Sequence, residues 1–327
     1  MTPPGRPRLI ERRALFPPRP TGHCHASTLA ERNDGTRVFA WFSGSREGAP
    51  DTVIQGIFLF PDGSSIPFTL PRPVDEPHWN PVLFDPGTGN LLLFFKTGPT
   101  PTHWRSWVVE LIAPPEFSAP RELAPGDVQG RGPVKNKPLA LHSGAWLAPG
   151  SWETQENWRA YVDRSLDGGH TWSTTPIPFD PADFTNPGAR GVIQPALWES
   201  TPERVHMLLR STATRIFRSD SSDGGQTWTP AHPTPLPNNN SGLDVARRQD
   251  GCLALICNPV SGYWAARTPL TLFQSSGEGF DWSRVLDLET DPGEYSYPSA
   301  LFARNGDLWI SYTWRRQSIL FCRVAIS

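Results

Sequence analysis

The sequence predicts an all-β chain, a six-bladed β-propeller forming one domain over residues 1–327. Three observations predict it. A pattern of two apolar strands around a tight turn recurs six times. Pro supplies 37 of the 327 residues, roughly twice its usual share. Because Pro is shut out of helix interiors and central strands, the elements must be short and the loops many. Finally, no long stretch repeats its apolar residues with a helical period.

The six copies justify the blades in order. They read HASTLAERNDGTRVFAWF from His25, NPVLFDPGTGNLLLFFK from Asn80 and NKPLALHSGAWLAPGS from Asn136. They continue as QPALWESTPERVHMLLRS from Gln194, SGLDVARRQDGCLALICN from Ser241 and YPSALFARNGDLWISYTW from Tyr297. Successive starts are 55, 56, 58, 47 and 56 residues apart. The turns, such as NDG, GTG, HSG, QDG and NGD, hold residues that accept the positive φ of a tight hairpin. A unit of this length has room for four strands of about 5–6 residues. Four-stranded units repeated radially make a propeller. After ILFCRVAI the sixth unit has run out of chain, so RLIERRALF near the start is expected to supply its outer strand and protect that edge.

Composition narrows the function classes. An apolar share of 37%, with 14 Trp and 17 Phe, supplies large packing units for a core. The net charge of −2 gives no reason to expect nucleic acid. Cys24, Cys252, Cys257 and Cys322 form no CxxC pair, so neither zinc nor a redox motif is indicated, and no metal or cofactor is expected. No apolar run reaches the roughly 18 residues of a membrane span. The N-terminus lacks the apolar centre of a signal peptide. The expected location is therefore cytoplasmic, or secreted if a leader has been removed.

A second signature recurs late in the blades. Ser165–Trp172 and Ser221–Trp228 share the form S-x-D-x-G-x-T-W, and a degenerate copy runs from Ser275 to Trp282. Asp and Ser satisfy backbone donors of a tight turn, Gly takes the strained φ, and Trp packs onto the sheet. Asp167 and Asp223 are therefore read as turn-formers. On six β repeats these segments resemble the Asp boxes of the sialidase (neuraminidase) superfamily, and the resemblance spans the chain from about Gly22 onward.

In a propeller, the starts of inner strands and the ends of the strands that follow converge on one channel mouth. The starts here are His23, His25, Trp79, Asn80, Asn136, Lys137, Gln194, Asn240, Asp244, Tyr295 and Tyr297. The ends are Arg46, Asp51, Lys96, Glu153, Arg210, Arg267 and Arg315. Six cations against three carboxylates would hold an anion. Arg binds a planar carboxylate bidentately, so the expected partner is an acidic mono- or oligosaccharide.

The resemblance assigns roles to some of these positions. Asp51, in SGSREGAPD, matches the sialidase acid/base Asp, with Arg46 before it. Arg210 and Arg267 match two arginines of the carboxylate-binding triad. Tyr295, in GEYSYP, matches the nucleophilic Tyr, with Tyr297 as the second candidate. Two positions depart from the pattern. His23-Cys24-His25 replaces the Arg-Ile-Pro of blade one, and Gln194 stands where the Tyr-activating Glu belongs. An amide is no general base.

Three functions follow as expectations. One is an exo-glycoside hydrolase releasing a terminal acidic sugar, with Asp51 as acid and Tyr295 as nucleophile. Another is a uronate lyase using His25 and Tyr295 as a base/acid pair. The third is a non-catalytic carbohydrate-binding propeller. Asn80, Lys96, Lys137, Gln194, Asp244, Tyr297 and Arg315 join Arg46, Arg210 and Arg267 as expected substrate contacts.

Overall fold

A computed structural model describes residues 7–19 and 21–326. Among these, strands supply nearly all the regular structure, beside two short 3-10 turns. No helix among the described residues is long and apolar enough to cross a membrane.

The chain opens with β1 (Arg8–Ala14), followed by antiparallel groups in sequence order. The first is β2 (His23–Glu31), β3 (Arg37–Gly44), β4 (Val53–Leu59) and β5 (Ser65–Thr69). The second is β6 (His78–Phe84), β7 (Leu92–Thr97) and β8 (Arg105–Ala113), edged by β9 (Glu116–Phe117) and β10 (Arg121–Glu122). The third is β11 (Leu139–Ala140), β12 (Trp146–Glu153), β13 (Asn157–Ser165) and β14 (Ser173–Pro176). The fourth is β15 (Arg190–Thr201), β16 (Arg204–Ser211), β17 (Arg215–Ser221) and β18 (His232–Pro237). The fifth is β19 (Asp244–Arg247), β20 (Cys252–Cys257), β21 (Leu270–Ser276) and β22 (Ser283–Glu289). The last is β23 (Tyr295–Phe302), β24 (Leu308–Trp314) and β25 (Ser318–Ala325). Here β1 adds the outer strand, with Arg8 opposite Ala325 and Ala14 opposite Leu320.

These groups lie in five hydrogen-bonded sheets, because the third and fourth fuse into one. The join is a short parallel pairing, Asn157 with Arg190 and Trp158 with Gly191. Gly191 has φ +135°, and a Cβ there would stand 1.9 Å from the Trp158 carbonyl oxygen. Only glycine permits this approach. Gly191→Ala is expected to cost about 3 kcal/mol or more, read as a lowered urea midpoint. An unchanged midpoint would show that the join is dispensable.

Neighbouring groups meet through their first strands. β2 packs against β6 and β23, β23 against β19, β19 against β15, and β15 against β12. Between the second and third groups, Phe84 meets Trp146 edge-on with centroids 5.1 Å apart. The apolar clusters fill the spaces between groups. One joins Phe42, Ile54 and Phe58 of the first group to Leu83, Leu93 and Val109 of the second.

Four first strands share a defect that positions the site. Their pairing slips between His25 and Thr28, Trp79 and Val82, Ile193 and Ala196, and Ser296 and Ser299. At each slip one residue is left-handed: Ala26 (φ 55°), Asn80 (φ 39°), Gln194 (φ 55°) and Tyr297 (φ 52°). Such a bulge re-aims side chains out of the ladder. In three of the four, Pro follows the left-handed residue, where its missing N–H removes no ladder bond.

The S-x-D-x-G-x-T-W turns use their polar groups internally. The Asp167 carboxylate accepts from the Thr171 N–H (2.9 Å) and hydroxyl (2.6 Å) and from the Ser165 hydroxyl (2.8 Å). These bonds, Thr171's foremost, hold its carboxyl well below the usual range. Asp223 repeats the pattern with Thr227 and Ser221. The degenerate copy keeps the Trp282 indole N–H to the Gly279 carbonyl at 2.9 Å.

Candidate active site

The bulges of β2, β15 and β23 and the end of β16 bring one cluster together. Tyr297 is at its centre. The Tyr297 ring lies 4.2 Å from the His25 ring, centroid to centroid. The guanidinium carbons of Arg210 and Arg267 stand 5.9 and 5.7 Å from its centroid. Its phenolic oxygen accepts from Arg210 Nη1 at 2.8 Å. The phenol proton is thereby left to point elsewhere.

Arg210 is 3% exposed. Its Nε donates to Asn240 Oδ1 (2.9 Å) and its Nη1 also donates to Gln194 Oε1 (3.2 Å). The guanidinium carbon lies 5.1 and 5.4 Å from the rings of Trp158 and Trp264. Arg267 Nη1 donates to Glu294 (2.7 Å) and to the Ser296 hydroxyl (3.3 Å). Arg316 Nε reaches the same Glu294 carboxylate at 3.0 Å, and its Nη1 pairs with Glu47. Arg315 and Arg316 both have positive φ in the β24–β25 turn, a conformation normally left to Asn-Gly. The turn aims one arginine outward and the other into the cluster.

The carboxyls of the cluster differ in character. Burial pushes Glu153 up, against the pull of Arg210 and of hydrogen bonds from Ser151 and Gln194, while nearby Glu47 adds to the rise. Burial also pushes at Glu294, but there Arg267 and Arg316 prevail and hold it below its ordinary value. Carboxyls moved in opposite directions are the arrangement from which acid and base roles arise. His25 is 1% exposed. Burial, then Arg316, Arg267 and Arg210, keep it well below the usual imidazole value and so neutral. Below Tyr297 the buried Lys135 ammonium donates to Asn136 Oδ1 and the Leu243 carbonyl, both at 2.8 Å, and to the Pro298 carbonyl. It thereby ties three first-strand segments together.

Several sequence expectations require correction. Tyr295 is 1% exposed and packs in the core between the fifth and sixth groups. In a regular strand, residues two apart share a face. The bulge at Tyr297 breaks that rule, so Tyr297 reaches the cluster and Tyr295 does not. Arg315 is exposed and donates to Tyr295 Oη at 3.2 Å; Arg316 takes the inward place. Lys96 is 1% exposed and donates to Ser106 Oγ and the Gly130 carbonyl. Burial lowers it to about 7, and it braces the second and third groups. Lys137 and Asp244 pair at 2.8 Å, and Asp244 also accepts from the Ala300 N–H, pinning strands rather than ligand. Asn80 is buried at its bulge and makes no hydrogen bond to the cluster. Arg46 is exposed.

Asp51 is exposed and accepts from the Ser45 N–H and hydroxyl, both at 2.9 Å. No hydrogen bond among the described residues joins it to Tyr297. The six-cation ring is therefore a balanced cluster of Arg210, Arg267 and Arg316 with Glu47, Glu153 and Glu294. Of the residues expected at one mouth, Arg210, Arg267, Gln194, His25, Glu153 and Tyr297 lie together in this cluster. Sequence reasoning missed Arg316, Glu47, Lys135 and the two tryptophans. The usable signal was an Arg-Arg pair where a tight turn wants Asn-Gly.

Repeated antiparallel β units that carry guanidinium, phenol and carboxyl groups on one bulged set of strands define a sialidase-like protein. The BNR repeat-like domain model matches residues 35–310, and the chain belongs to that family. No curated protein matches the sequence. Among solved structures, a protein of unknown function from Dyadobacter fermentans superposes with TM-score 0.79 at 14% identity, over 98% of this chain and 99% of that one. The Hadza microbial sialidase Hz136 gives 0.72 at 14% identity, over 93% and 66%. The Trypanosoma rangeli sialidase, in complex with the inhibitor DANA, gives 0.72 at 13% identity, over 96% and 59%. The chain thus spans about two thirds or less of those sialidases' length.

Proposed function

We propose that the six antiparallel groups are the blades of a six-bladed propeller, with Asp-box turns, and that the chain is an exo-acting glycoside hydrolase releasing a terminal acidic sugar. The observation that carries this reading is the Tyr297 ring with the Arg210 and Arg267 guanidiniums 5.9 and 5.7 Å from its centroid, Arg210 also acting on the raised carboxyl of Glu153. The convergence of Arg210, Arg267 and Arg316 on one cluster suits an anionic ligand. Arg210 Nη2 and Arg267 Nη2 make no hydrogen bond among the described residues, which leaves donors for a sugar carboxylate.

In this mechanism Glu153 gives its proton to the leaving oxygen, and the glycosidic C–O bond breaks with its electron pair going to that oxygen. The Tyr297 oxygen faces the positive carbon that results; as a neutral group it avoids repulsion by the sugar carboxylate. Water then adds to the carbon and returns a proton to Glu153. The elimination alternative needs a base at the sugar's α-proton. His25 is buried against Tyr297, which favours hydrolysis.

Glu153→Gln is expected to lower turnover of aryl sialosides or uronides about 10²–10⁴-fold. In the wild type, the acid form is lost as pH rises through the elevated Glu153 value, so kcat/KM falls on that side. The stability Glu153 gains from its proton is likewise present at low pH and lost through the same range. The Gln variant lacks the limb. An unchanged profile in Glu153→Gln, or an ultraviolet-absorbing unsaturated product, contradicts the assignment. Sugar retention on a glycan array without turnover contradicts catalysis altogether.

A further inference from the structure

The turns that join first strands to second strands lie at the opposite ends of the first strands from the bulges. Along β23, Phe302 is five residues beyond Tyr297, roughly 15 Å at the rise of a strand. On that far face a groove of about 540 Å³ opens between the turns of the fifth and last groups. Three arginines line it, Arg247, Arg248 and Arg304, together with Gln249 and Phe302. None of its described lining residues carries a carboxylate. The volume falls in the range of about 300–1,000 Å³ usual for small-ligand sites.

The acidic groups around the groove are already engaged. Asp250 takes both its oxygens to Arg248 Nε, at 3.1 and 3.0 Å, and balances that arginine. Arg248 Nη1 also donates to the Ile326 carbonyl at 2.8 Å. Asp307 accepts from Asn305 Nδ2 at 2.9 Å and stands 3.7 Å from Arg323. Glu199, on the turn of the fourth group, pairs with His142 at 2.6 Å. Glu31 accepts from the Arg304 backbone N–H at 2.8 Å, not from its guanidinium.

Arg247 and Arg304 therefore have no carboxylate against their guanidiniums among the described residues. Arg247 Nη2 donates to the Ser200 carbonyl at 3.2 Å, and its Nε is buried without a hydrogen bond. Arg304 is held by neutral acceptors, the Arg32 carbonyl and Asn33 Oδ1. Two uncompensated positive charges facing one groove attract an anion. They come from different turns, so their donors approach from different directions. A planar carboxylate is best met by one bidentate arginine, whereas the three oxygens of a phosphate monoester accept from several sides and carry about 1.5 to 2 negative charges. The half-buried Phe302 ring, 5.5 Å from the Arg248 guanidinium carbon, adds an apolar wall for an organic body.

We propose that this groove binds a small phosphate monoester, with Arg247 and Arg304 on the phosphate and Phe302 against the organic body. The site is separate from the Tyr297 cluster and holds whatever chemistry occurs there.

Calorimetric titration at fixed ionic strength tests it, with phenyl phosphate, inorganic phosphate and phenyl sulfate as probes. Wild type is expected to bind phenyl phosphate with a Kd of about 1 mM or tighter, and each of the other two about tenfold more weakly. Arg304→Gln, an exposed substitution, is expected to weaken phenyl phosphate at least about tenfold and to keep the thermal unfolding of the wild type. Arg247→Gln is expected to weaken it equally. Absence of phenyl phosphate binding overturns the site. Binding unmoved in both variants also overturns it and assigns the anion to the arginines around Tyr297. Inorganic phosphate binding as tightly as phenyl phosphate overturns the organic body, and phenyl sulfate binding as tightly overturns the choice of phosphate.

Discussion

Arg210→Lys is expected to lower kcat/KM at least about a thousandfold, although charge is kept. One guanidinium meets Asn240 Oδ1, Gln194 Oε1 and Tyr297 Oη at once, with its carbon 5.1 and 5.4 Å from the Trp158 and Trp264 rings. An ammonium is a compact point charge and cannot reproduce that planar fork. The lysine variant leaves Gln194 or Tyr297 without its donor, and the phenol loses the bond that orients it. Loss of positioning of this kind removes several kcal/mol of transition-state stabilisation. Arg210→Met goes further and strands the buried Asn240 and Gln194 side-chain oxygens, which adds roughly 3 kcal/mol of instability. Steady-state kinetics of the Lys variant and calorimetry of the Met variant separate the two effects. Wild-type turnover in Arg210→Lys would remove Arg210 from the chemistry.

The largest structural effect is expected at Asp163, far from any substrate. Its side chain is fully buried. Its carboxylate accepts from Arg131 Nε at 3.0 Å, from the Gly132 N–H at 2.7 Å and from the Thr174 hydroxyl at 2.5 Å. Arg131 and Gly132 belong to the segment whose carbonyls at Gly130 and Arg131 hold Lys96. Asp163→Ala removes the buried anion that pairs with Arg131 and leaves Asp127, which caps the Gln129–Arg131 backbone, as the nearest remaining carboxylate. Breaking a buried pair from one side costs about 3–5 kcal/mol. Asp163→Asn retains one acceptor and should lie between. Urea unfolding reads both; equal midpoints for Ala and wild type would contradict the account.

The strand arithmetic was legible because side-chain alternation and turn chemistry are local. The six hairpins and the internal bonding of Asp167 and Asp223 follow from neighbours in sequence, while the pairing of β1 with β25 follows from counting the strands that the last unit lacks. The cluster was half legible. Arg210 lies at the end of a regular strand, so counting places it, whereas Arg267 lies in the loop between β20 and β21 and was placed by the resemblance. Tyr297 sits on a bulge, and counting from a regular strand favoured Tyr295 instead. Arg316 was missed because the handedness of a two-residue turn decides which arginine faces inward. Lys96 and Lys137 were misread because a lysine at a strand end normally reaches water, whereas here backbone carbonyls, with Ser106 for one and Asp244 for the other, capture it.

One feature of the last group bears on how the chain is made. β1 is synthesised about 300 residues before its partner β25. At roughly 5–20 residues per second that strand waits some tens of seconds without a mate. Until then the nascent chain carries raw strand margins that invite pairing with another copy, so the final annealing is the step at which holdase chaperones have most to protect.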